Sequence, residues 1–128
     1  MFIAAGTGIA PVMSMLRQIQ ETKIDGKFSL FYTNKFENSI IYHDELKKIN
    51  GSAGNISVVF TLTQDVPEEW KHDKGRINKE MIAKYMHKHN ASHCNFYICG
   101  PLEFIKQIKE AVISLGAKPE NIRVEGWG

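Results

Sequence analysis

Two short glycine turns carry most of the chemistry this sequence offers. They are Gly6-Thr7-Gly8, with Pro11 behind it, and Cys99-Gly100-Pro101. Glycine lets a backbone approach a phosphate with no Cβ in the way. A helix opening just after such a turn adds unpaired N–H groups and a partial positive charge. The Thr7 hydroxyl is a further donor. Pro11, at a first helical position, gives up an amide that has no partner inside the helix. The full G-x-G-x-x-G spacing is absent, because position 11 is Pro. No Lys-Ser or Lys-Thr follows Gly8, which excludes a Walker-type phosphate loop. Ala4-Ala5-Gly6 stands where a phosphate-receiver domain would need acidic residues. A lone G-x-G also suits an ordinary turn, so position in the chain has to decide.

The elements that would hold these turns follow from the hydrophobic pattern. Phe2–Ala5 is a short apolar run ending in the first turn, and Val12, Met15, Leu16 and Ile19 recur at helical spacing after it. Phe28–Thr33 reads as a buried strand, and Tyr42, Leu46 and Ile49 as a helix closed by Asn50-Gly51. The β-branched run Ile56–Thr63 is a third strand, followed by a polar loop from Gln64 to Gly75. Asn78 is a candidate cap for a helix with Met81, Ile82 and Tyr85. Asn95–Cys99 is the fourth strand, broken by Gly100-Pro101. A helix with Phe104, Ile105, Ile108 and Val112 comes next, ended by Gly116. Ile122–Trp127 is the fifth strand. Strict alternation predicts an α/β fold: a doubly wound five-stranded parallel sheet, order 3-2-1-4-5, with helices on both faces.

Composition excludes several classes. The chain has 128 residues, enough for one domain, and is 43% hydrophobic and 23% charged. No apolar run is long enough to span a membrane. Sixteen basic against fourteen acidic residues, with the lysines spread along the chain, give no footprint for nucleic acid. Cys94 and Cys99, on or beside one strand, would lie roughly 16 Å apart, against the 7 Å or so a disulfide allows. Two free thiols point to a reducing, cytoplasmic setting.

In the predicted order the chain reverses between strands one and four, and ligands bind at such a switch point, at the carboxyl ends of the strands. Both glycine turns fall there. Here the residues resemble a family. Phe2-Ile3-Ala4-Ala5-Gly6-Thr7-Gly8-Ile9-Ala10-Pro11 is similar to the pyridine-nucleotide loop of ferredoxin–NADP reductase-type flavoproteins, and Cys99-Gly100-Pro101 to their second signature. Leu30-Phe31-Tyr32-Thr33-Asn34, Tyr42-His43-Asp44-Glu45-Leu46 and Gly75-Arg76-Ile77 continue the resemblance between them. It implies that residues 1–128 are the NAD(P)-binding domain of a longer reductase, whose FAD is held by a separate barrel upstream. The short first strand fits such a cut. The implied activity is hydride transfer from NAD(P)H to FAD, then one-electron transfer to an iron–sulfur, heme or quinone acceptor.

The resemblance also implies roles. Gly6, Thr7, Gly8 and Pro11 would hold the pyrophosphate. Cys99 would lie beside the nicotinamide, positioning it and not attacking it, with Gly100 giving close approach and Pro101 stiffening the turn. Trp127 resembles a C-terminal aromatic that covers the flavin. The adenosine ribose would lie at Thr33, Asn34, Glu37 and Ser39. Glu37 suits a ribose hydroxyl and Lys35 a 2′-phosphate, and the balance leans to NADH. Ser39 departs from the acidic residue that NADH users often carry there.

Other features are set lower. His87, His89, His93 and Cys94 have the look of a metal cluster, yet positions two apart on a helix face different ways. Trp70 is expected to anchor the loop after the third strand. A non-catalytic nucleotide sensor or interaction module is the alternative function. The face toward the absent barrel should be partly apolar and exposed.

Overall fold

A computed structural model describes residues 1–52, 54–86 and 90–128. Among these residues the centre is a parallel sheet of six strands: β1 (Phe2–Ala5), β2 (Phe28–Asn34), β3 (Ile56–Leu62), β4 (Asp73–Lys74), β5 (Phe96–Pro101) and β6 (Ile122–Trp127), in the order β4-β3-β2-β1-β5-β6. Five of these follow the predicted order, and β4 is the correction. It is two polar residues pairing with Thr61 and Leu62 inside the expected loop, too short to show any period. The indole N–H of Trp70 donates to the Asp73 carbonyl at 2.9 Å, and the ring is buried, so this Trp does anchor the loop.

Among the described residues four α-helices cover the sheet: α1 (Ile9–Thr22), α2 (His43–Gly51), α3 (Lys79–Lys84) and α4 (Leu102–Ser114). Because side chains alternate along a strand, β1 sends Phe2 and Ala4 to one face and Ile3 to the other. The first face packs under α1 and α2 with Val12, Met13, Leu16 and Leu46. The second packs under α3 and α4 with Ile82, Ile105, Ile108 and Val112. The short β1 is central and buried on both faces, which is why it is apolar throughout.

Local signals work as read at several ends. The Asn78 side chain accepts from the Met81 N–H at 2.8 Å, capping α3. Gly116, at φ +106, closes α4. Two boundaries move. Pro11 is the third residue of α1, not the first, but its amide still falls in the turn that has no intrahelical partners. Gly100 and Pro101 do not break the strand. They are its last residues, held in register by Gly126 and Trp127 of β6. His87 and His89 lie outside the described residues.

Candidate functional site

The carboxyl ends of β1, β2 and β5 meet at one notch, since Ala5 pairs with Thr33 and Ala4 with Cys99. Gly8 rests on β5. A Cβ there would collide with the Cys99 carbonyl oxygen and stand 2.8 Å from its carbon and 3.2 Å from the Gly100 nitrogen. Gly6 serves a different purpose. Its φ is +54° and the space around it is open, so glycine there permits a left-handed backbone. The two glycine turns therefore touch, through Gly8.

A cleft of about 540 Å³ opens above them, within the usual range for small-molecule sites. Gly6, Thr7, Thr33, Asn34 and Ser39 line one part, and Pro101 and Trp127 another. Among the described residues, no hydrogen bond of good geometry reaches the buried hydroxyl of Thr33 or the buried amide nitrogen of Asn34, though the Asn34 amide lies near the Tyr32 phenol. These residues are 8% and 7% exposed. An unpaired buried polar group costs about 1–3 kcal/mol, so two on one wall call for a ligand that pairs with them.

Lys35 and Arg76 bring positive charge to the cleft, and Glu103 is the carboxylate along its wall. Among the described residues neither cation has an acidic partner within salt-bridge distance. Tyr32 lies beneath the floor: its hydroxyl donates to the Gly6 carbonyl at 2.7 Å, and burial pushes the phenol's pKa up.

Five expected residues lie outside that lining: Gly8, Pro11, Glu37, Cys99 and Gly100. Cys99 is 1% exposed and does not line the cleft; it packs with Ala4 and Ile9 under α1. Burial pushes its thiol pKa up, and the nearby Glu125 carboxylate adds to the effect. Glu37 lines a neighbouring depression with Asn38, His43 and Asp65. Pro11 stays on α1, outside the lining. Gly100 is packed against the Phe104 ring and Ala5, so it makes room for the helix after it. Trp127, 42% exposed, lines the cleft, and Leu102, 56% exposed, lies near the Gly126 before it.

Sequence reasoning missed Thr63, Phe104 and Gln107 along the wall. The helical spacing of Phe104 places it in the core, and it does pack there as well. Thr63 and Gln107 carry no local signal. Arg76 was visible only as part of Gly75-Arg76-Ile77.

The residues fit a dinucleotide: a glycine-walled turn at a helix start, two unpaired donors and an apolar rim. A sequence family described as the oxidoreductase NAD-binding domain matches residues 2–110. NADH-cytochrome b5 reductase 1 of Lodderomyces elongisporus is 36% identical over 121 residues, covering 91% of this chain and 40% of that protein. Flavohemoprotein B of Dictyostelium discoideum is 29% identical over 135 residues, covering 100% of this chain and 30% of that one. Among solved structures, the CS-b5R domains of human Ncb5or, in an NAD+ form, superpose with a TM-score of 0.82 at 28% identity, covering 96% of this chain and 35% of that one. The chain thus spans less than half the length of each. The match takes in both glycine turns, and the chain belongs to the oxidoreductase NAD-binding domain family.

Proposed function

We propose that this chain is the pyridine-nucleotide-binding part of an FAD-dependent reductase and holds NAD(P)H for hydride transfer to a flavin on a separate barrel domain of the same protein. The observation that carries this is the pair of buried, unpartnered donors, Thr33 and Asn34, in the wall of a cleft that begins at Gly6-Thr7. When bound, the dinucleotide supplies the hydride and the flavin accepts it.

The chain's own residues bind and orient. The first turn of α1 offers N–H groups and positive potential to the diphosphate. Thr33 and Asn34 donate to the adenosine side. Gly8 keeps the phosphate turn seated on β5, and Cys99 acts from below by shaping that seat. Trp127 stands where a ring can cover the flavin. Its exposure, with that of Leu102 and Val124, supports docking of the barrel on this edge. No acid–base pair is needed, because hydride transfer asks chiefly for two rings held in contact.

NADH is the favoured form, in keeping with the name of the Lodderomyces relative. Glu37, outside the cleft, is not its basis. The acceptor is of the iron–sulfur, heme or quinone kind. The free thiols Cys94 and Cys99 support a cytoplasmic setting.

Calorimetry of the chain with NADH, NADPH and ADP-ribose tests the binding. Saturable binding of ADP-ribose, with NADH ahead of NADPH, is expected. No binding of any of the three would refute the reading. In the full-length protein, Trp127→Ser should change flavin fluorescence and nicotinamide affinity, and a variant that changes neither would remove Trp127 from the site.

A further inference from the structure

One hydroxyl joins the two segments that frame the cleft. Tyr32 is fully buried. Its oxygen donates to the Gly6 carbonyl at 2.7 Å and receives the Ile41 N–H at 3.4 Å. Ile41 follows the short turn Glu37–Ser39, whose Ser39 lines the cleft. Tyr32 stands beside Ala4 in the sheet, two residues before Gly6.

The Gly6 carbonyl and the Thr7 N–H belong to one peptide unit. Among the described residues no peptide is cis, and in a planar trans unit these two groups point in opposite directions. The Gly6 carbonyl also accepts the Ile9 N–H within the Gly6–Gly8 turn, and the Tyr32 hydroxyl adds a second, inward anchor; so held, the unit turns the Thr7 N–H away from the core, and Thr7 borders the cleft. With the unit rotated, a carbonyl oxygen would face the cleft, and its partial negative charge would repel a phosphate. Filling the core does not explain the hydroxyl, since a phenylalanine would occupy nearly the same volume.

We propose that Tyr32 is a positioning residue for the dinucleotide's diphosphate. Its hydroxyl holds the Gly6–Thr7 peptide with the N–H presented to the phosphate. Tyr32 itself touches no ligand. The proposal rests on reading the cleft as a dinucleotide site.

The test compares wild type with Tyr32→Phe in the 128-residue chain. ADP-ribose, which carries the diphosphate, and adenosine, which lacks it, are titrated by calorimetry and ligand-observed NMR, and the Thr7 amide is followed in ¹⁵N spectra. The variant should keep its circular dichroism and its affinity for adenosine. ADP-ribose should bind roughly tenfold more weakly, as expected for one lost orienting hydrogen bond. The ADP-ribose-induced shift of the Thr7 amide should shrink. Unchanged ADP-ribose affinity, or equal losses for both ligands, would overturn the proposal. Should wild type fail to bind ADP-ribose, the dinucleotide reading itself falls, and the proposal with it. If Tyr32→Phe does not fold, Gly6→Ala disturbs the same peptide and should give the same split; retained ADP-ribose affinity there would also overturn it.

Discussion

Gly8 packs directly on the carbonyl of Cys99, with no room for a Cβ between them. Through this contact the start of α1 is fixed to the end of β5, two elements far apart in the sequence. The sheet explains why they meet. β1 lies between β2 and β5, so its carboxyl end delivers the phosphate turn into the gap where the chain's direction of winding reverses.

Gly8→Ala should therefore destabilise the chain by about 1–3 kcal/mol, the usual cost of forcing atoms into packed backbone. It should also weaken ADP-ribose binding. Gly6→Ala meets no neighbour but must hold φ +54°, so its cost is the smaller one of a left-handed residue, about 1–2 kcal/mol. Urea melts of both variants check the order.

Thr33→Val should move stability and binding in opposite directions. The buried hydroxyl has no partner, so an isosteric methyl should leave the ligand-free chain as stable or up to about 1 kcal/mol more stable. ADP-ribose should bind roughly tenfold more weakly. A destabilised variant with full affinity would mean that the hydroxyl serves the fold and not the ligand.

Alkaline pH should separate wild type from Tyr97→Phe. The Tyr97 phenol donates to the Glu125 carboxylate. Burial, with this bond and the carboxylate charge, pushes its pKa from 10.0 up to about 12. The folded state holds this proton more tightly than the unfolded one. The contribution is therefore fully present below the unfolded value and is lost as pH rises through the folded one. Denaturant midpoints should fall more steeply in wild type than in the variant across that window. The difference should be shallow, because water screens this half-exposed pair.

The two thiols should differ in reactivity. Cys99 is buried and its pKa is raised, so it should react with a disulfide reagent only on unfolding. Cys94 is half-buried and should react first in the native chain. Rapid native reaction of Cys99, followed by mass spectrometry of its peptide, would contradict the packing described.

Much of this was legible in the sequence, for identifiable reasons. The apolar runs of β2 and β3 and the helical spacing of α1 and α4 repeat often enough to show a period, and winding rules then fix the strand order. Gly6, Thr7, Thr33, Asn34 and Ser39, which line the cleft, could be named because they follow strands whose ends were visible. The named positions that lie outside the cleft depend on side-chain direction. Cys99 points into the layer under α1 although its backbone meets the phosphate turn, and strand register alone does not reveal that. Glu37 faces a neighbouring depression because a short 3-10 turn, Glu37–Ser39, sets its direction. Strand β4 is two residues long and exists through pairing with β3.

Titration of the isotope-labelled chain with ADP-ribose, followed by ¹⁵N NMR, decides whether the two glycine turns form one binding site. Saturable shifts are expected at Gly6–Gly8, at Thr33–Lys35 and near Pro101–Phe104, all with one dissociation constant. Shifts confined to one of these segments, or centred on a different face of the sheet, would contradict a single site.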